Sequence, residues 1–169
     1  NLVDDLKAVF THAGLGGEAG EYKLLTQSFL YKFLNDKFLY EAQNVDSENT
    51  YEHLVSMSEE DYDWLLEDIG TSTAWMKPNQ FIETLHRKQN ESDFYETFEN
   101  TLNQIAIDNN DIFSVHTDGD TAIRLFDERL ITDTISDSSK RNEVAKAIIN
   151  LLARVKFDET IFSQGFDFF

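Results

Sequence analysis

Hydrophobic residues recur along this chain at intervals of three and four, stretch after stretch, the spacing of helices with one face turned inward. "NLVDDLKAVF" puts Leu2, Leu6, Val9 and Phe10 on one face and predicts a short first helix. It runs into "HAGLGGEAG", four glycines in nine residues, which reads as a helix stop and a flexible connector. Residues 20–43 predict the longest helix. On a wheel of about 100° per residue, Tyr22, Leu25, Phe29, Phe33 and Tyr40 share one side. Leu30, Leu34 and Phe38 take the next quadrant, and Leu24, Tyr31 and Leu39 lie opposite. A helix apolar nearly all round is enclosed by others. Lys32 and Lys37 interleave with these aromatics, which raises the alternative of a nucleic-acid surface. The two lysines fall on opposite sides of the wheel and form no stripe, so a core helix is expected.

Beyond it, "AQNVDSENTYEH" reads as a polar connector. "SMSEEDYDWLLEDIG" predicts a helix capped by Ser58, with acids crowding its first turn, Tyr62, Leu65, Leu66 and Ile69 inward, and Gly70 at its end. Pro78 suits the first position of a helix carrying Phe81, Ile82 and Leu85. Ser92 is the expected cap of "DFYETFENTLNQIAI", which buries Phe94, Phe98, Leu102 and Ile105. "DNNDIFSVHTDGDT" reads as a loop with a brief extended piece at Ile112–Val115. Residues 121–131 predict a short helix with Ile123, Phe126 and Leu130 inward. Val144, Ile148, Leu151, Leu152 and Val155 mark a last helix over residues 139–155, capped by Ser138 or Ser139. The expected fold is all-α: one multi-helix domain spanning 1–169, about seven or eight helices around the buried helix at 20–43.

Composition supports this picture. A single proline and seven glycines leave few breaks in 169 residues. No apolar run reaches the roughly 18 residues that span a bilayer, no secretory-type leader opens the chain, and a cytoplasmic setting is expected. With no cysteine there is no disulfide framework, thiolate nucleophile or Cys-based zinc site. The first residue is Asn1, which suggests a processed protein or a fragment. The net charge of −18 is unevenly spread: residues 41–120 carry nineteen acids and three bases, and each flanking stretch is close to neutral. That middle repels a phosphate backbone. Seven of the fourteen bases, Arg124, Arg129, Lys140, Arg141, Lys146, Arg154 and Lys156, share one stretch with five acids. Phosphate contact is electrostatically plausible only there, although ordinary helix-surface charge explains the same residues.

Catalytic patterns are wanting. Gly14-Leu15-Gly16-Gly17-Glu18-Ala19 has the form G-x-G-x-x-A, but such a cofactor loop follows a buried strand, and here a helix precedes it. His12, His53, His86 and His116 match no zinc spacing. His116 with Asp118 and Asp120 could form a cation loop, yet the segment fails the EF-hand template in either register. "SEEDYD" and "DETIFSQGFD" read as helix-start and loop acids rather than an acid/base pair. A metal-dependent helical enzyme would need carboxylates and histidines at converging spacings, which are not seen. The residues describe a non-catalytic helical module.

The order of pieces is similar to one family. "LLTQSFLYKFLNDKFLYE" resembles the opening helix of the modification subunits of type I restriction–modification DNA methyltransferases. The Trp/Pro stretch "STAWMKPNQFIETL", the helix "FENTLNQIAIDNND" leading into an acidic loop, and "RNEVAKAIINLLARVKFDETIFSQGFDFF" resemble the succeeding parts of that family's N-terminal helical domain. The resemblance implies a piece that precedes a Rossmann-like catalytic domain. The family's glycine-rich S-adenosylmethionine loop and Asn-Pro-Pro-aromatic motif are both missing here, where the lone proline follows Lys77. It implies no catalytic residue and no cofactor for this piece, and S-adenosylmethionine-dependent adenine-N6 methylation for the complete protein. The implied partners are DNA, a specificity subunit, a second modification subunit and a restriction subunit, with Lys140, Arg141, Lys146 and Arg154 as the expected DNA or subunit contacts. The alternative is a free-standing acidic helical protein-binding module or DNA mimic.

Overall fold

A helix leaves its first amides without partners inside the helix, so its start is set by whatever side chain accepts from them. Asn1 Oδ1 accepts from Val3 and Asp4 N–H at 2.9 and 3.3 Å. Ser58 Oγ accepts from Asp61 N–H at 3.1 Å, and Gly70, at φ +68°, ends that helix. The computed structural model describes residues 1–110, 125–157 and 159–164. Among them are eight α-helices and no strand: α1 (Leu2–His12), α2 (Ala19–Val45), α3 (Tyr51–Ser56), α4 (Glu59–Ile69), α5 (Ile82–Arg87), α6 (Phe94–Asp108), α7 (Leu130–Thr134) and α8 (Ser138–Arg154). Short 3₁₀ turns lie at Pro78–Gln80 and Glu159–Gln164. No described helix is long and apolar enough to cross a membrane.

α2 runs through the middle. It packs on α1, α4 and α7 and touches α8, which in turn packs on α1, α5 and α6. Tyr31, Lys32, Phe33, Leu34 and Asn35, five consecutive residues, are all buried, so every side of the helix is covered at this level. The enclosure does not extend to the start of the helix, where Tyr22 is 72% exposed rather than packed with Phe29 and Phe33. Aromatic side chains join α2 to its neighbours: Tyr31 meets Phe98 edge-on at 6.1 Å, and Phe38 lies 5.7 Å from Phe81.

Several helix boundaries differ from those the pattern predicts, each for a local reason. The connector after α2 holds a further helix, α3, capped by Thr50 and with Leu54 as its single buried residue; one inward residue gives no periodicity to read. The stretch after Pro78 breaks at Phe81, whose backbone is extended at φ −65° and ψ 146°. α2 supplies the groups that stabilise the break: Tyr31 OH donates to the Gln80 carbonyl at 2.6 Å, and Asn35 Oδ1 accepts from Ile82 N–H at 2.9 Å. Ser92 is not the cap of α6. The helix begins at Asp93 in the left-handed region, φ +55°, and Asn142 of α8 accepts from Tyr95 N–H at 3.0 Å. α7 begins only at Leu130, with Phe126 buried ahead of it, and Asp137 rather than a serine caps α8. The extended piece at 112–115 and the inward position of Ile123 lie outside the described residues.

Candidate functional site

The expected contact residues sit on α8, and the helix sends them in different directions. Arg141, Ala145, Ile148 and Leu152 follow one another at spacings of four, three and four, so Arg141 belongs to the inward face. Its Nε donates to the Ile135 carbonyl at 2.9 Å, and its guanidinium carbon lies 5.7 Å from the Tyr95 ring centre. It ties the α7–α8 connection to α6. Lys140 is half-buried on the rim of a groove of about 360 Å³ between α1 and α8, beside His12 and Glu143. Lys146 points to another side, and neither it nor Arg154 has an ion pair among the described residues. Lys140 and Arg154 share an edge but stand about 21 Å apart along the axis. The structure therefore brings these four bases together on one helix and not into one patch.

The other bases of note are inside. Lys32 and Lys37, 4% and 7% exposed, pair one turn on with Asp36 at 3.0 Å and Glu41 at 3.3 Å. Lys32 Nζ also lies 5.8 Å from the Phe157 ring centre. Their aliphatic stems fill apolar space while each charge keeps a partner. Glu99 on α6 is 6% exposed and serves as a distant cap: it accepts from Ile131 N–H, Thr132 N–H and Thr132 Oγ at 2.8–3.1 Å, holding the first turn of α7. Asn109 bridges Trp75 N–H and the Trp75 carbonyl at 2.7 and 2.9 Å. Burial pushes the Tyr31 phenol well above its ordinary value, and does the same to Tyr62, whose hydroxyl donates to the Met76 carbonyl. Both phenols stay neutral donors.

Exposed charge is arranged more loosely. Hydrogen bonds from Arg87 to Glu52 and Glu83, at 2.7 and 3.0 Å, hold its guanidinium above its ordinary value. The three described histidines lie on α1, α3 and α5, and no group of three or more metal-ligating side chains converges among the described residues. His116, Asp118 and Asp120 lie outside the described residues, as does Arg124. In the glycine stretch, Gly14 and Gly17 have φ of +85° and +79°. A Cβ on Gly20 would come within 3.3 Å of the Thr134 side chain, so its bareness lets α2 approach α7.

One exposed residue escapes a reading by inward faces. Trp64 stands out of the buried set Tyr62, Leu65, Leu66 and Ile69 of α4 and is 63% exposed. Its signal in the sequence is its offset from that set on the helical wheel. In comparisons with known proteins, the chain matches no family model, and no curated protein or solved structure is significantly similar to it.

Proposed function

We propose that this chain is a non-catalytic helical domain that positions partner macromolecules, specifically the N-terminal helical domain of a type I modification subunit in a cytoplasmic restriction–modification complex. The observation that carries the reading is how the domain uses its internal polar groups. Tyr31, Asn35, Glu99, Asn109 and Arg141 are all spent on tying helices to one another or to their connecting segments, which supports reading the interior as a structural frame. The family in this reading rests on the resemblance of the segments from "LLTQSFLYKFLNDKFLYE" to "RNEVAKAIINLLARVKFDETIFSQGFDFF" to the type I modification subunits. In the complete protein a catalytic domain would bind S-adenosylmethionine and methylate adenine N6, and the helical frame would help enclose DNA beside the specificity, restriction and second modification subunits. Methylation needs the adenine out of the duplex, which gives a rigid clamp a physical purpose.

Reading the gene beyond the codon for Phe169 tests this directly. Continuation into a glycine-rich loop and an Asn-Pro-Pro-aromatic motif is expected, and a stop codon there would overturn the proposal. Purified residues 1–169 should neither bind S-adenosylmethionine nor transfer its methyl group to DNA. The second reading, a free-standing acidic module that binds basic proteins or mimics DNA, is favoured by the sixteen surplus acids in residues 41–120. A stop codon at that point would favour it.

A further inference from the structure

α4 presents one aromatic ring within a fence of carboxylates. On a helix the side chains that flank a residue are those three and four positions away. For Trp64 these are Glu60, Asp61, Glu67 and Asp68, all acidic and all exposed. Glu59 and Asp63 extend the same outer surface, and the eleven-residue helix carries no base. None of these six carboxylates forms an ion pair among the described residues, whereas the acids nearest the buried lysines do. The surface is therefore uncompensated twice over: a large ring is left in water, and like charges crowd around it without a counter-charge.

We infer that the Trp64 face of α4 is a docking surface for an arginine-bearing basic segment of a partner protein. Charge complementarity selects a cationic occupant, and the ring selects among cations. A guanidinium can lie flat on an indole while its edge N–H groups reach carboxylates around the rim. A lysine ammonium offers only a point charge and stacks less well. Nucleic acid is repelled by the carboxylates. The surface lies on a helix whose inward face, Tyr62, Leu65, Leu66 and Ile69, anchors it to the core, so it is presented rigidly. The inference does not depend on the family assignment above; it needs only α4.

The test titrates the full 169-residue chain with a short oligo-arginine peptide at low salt, with an oligo-lysine peptide of equal length for comparison. Arginine should bind several-fold tighter than lysine. Trp64→Gln should weaken arginine binding by about fivefold or more and largely erase the preference, while circular dichroism stays unchanged. Glu60→Lys with Glu67→Lys should weaken it by more than about tenfold. Asp4→Lys with Asp5→Lys, on the exposed side of α1, serves as the control and should change little. Equal binding of the two peptides with no effect of Trp64→Gln would mean diffuse charge attraction and overturn the inference, as would an equal loss in the α1 control. A blue shift of tryptophan emission on phosphatidylcholine vesicles that Trp64→Gln abolishes, with no response to oligo-arginine, would assign the ring to a membrane surface instead and overturn it too.

Discussion

α2 and α4 both set aromatic rings among charges, and they dispose of them in opposite ways. In α2 the lysines at 32 and 37 lie under cover, each matched to a carboxylate one turn away, and Phe33 and Phe38 have no exposed surface. In α4 the charges share one sign and face water, and Trp64 stands among them. The difference follows from how many sides of each helix are covered. A helix with neighbours all round must neutralise any charge it keeps, because an unpaired buried ion is costly. A helix with one buried stripe can leave its outer charges unmatched, and that freedom makes a surface available for a partner.

The comparison breaks most visibly on a buried ring. Phe33→Asp should leave no folded protein by circular dichroism, since it removes a packed aromatic and inserts a charge where no partner is free. The same aspartate at Trp64 should leave stability within about 0.5 kcal/mol. A folded Phe33→Asp variant would show that α2 is less enclosed than its burial indicates.

A smaller loss is expected where a buried charge holds a helix start. Glu99→Ala removes three hydrogen bonds at the first turn of α7 and should cost about 3 kcal/mol in urea unfolding. Next comes the Lys32–Asp36 pair. Lys32→Met alone should cost about 1–3 kcal/mol, because Asp36 is left largely buried without its cation, whereas Lys32→Met with Asp36→Leu should return close to the parent. A double variant no better than the single would mean that the loss does not come from the uncompensated Asp36 carboxylate. On α4 the corresponding structural sensitivity is its cap, and Ser58→Ala should cost about 1 kcal/mol.

The smallest effect is a pH dependence at the start of α8. Hydrogen bonds from the Ser139 hydroxyl and amide hold the Asp137 carboxyl below its ordinary value of 3.8. A carboxyl lowered by folding adds stability that is present above its unfolded value and lost as pH falls through the folded one. The difference in melting temperature between the parent and Asp137→Asn should therefore shrink as pH drops from about 5 to about 2. A difference that stays constant over that range would show that Asp137 caps the helix without its charge.

Strong periodicity was legible wherever a helix had several inward residues. The inward sets of α4, α6 and α8 follow from spacing, as does the enclosure of α2 from its apolar residues on every side. α3 was not legible, because Leu54 is its single buried residue. Distant caps were hidden as well: Glu99 lies 32 residues from Ile131, and Asn142 lies 47 residues from Tyr95. A local reading places the start of α6 at the nearest serine, Ser92, and finds no cap for α7. On α8 the base-rich composition was plain, yet Arg141 turned out to be tied to Ile135, Thr132 and Tyr95, a use that only its neighbours define.

The sequence by itself determined an all-helical chain with a buried central helix, because those features rest on the spacing of apolar residues within single segments. Only the tertiary structure decided which charges are internal struts and which are free. Whether a lysine or a glutamate is covered depends on the helix that packs over it, and that helix is contributed by residues far along the chain. Lys32, Glu99 and Arg141 were thereby assigned to the frame, and Trp64 with its four acidic neighbours was left at the surface.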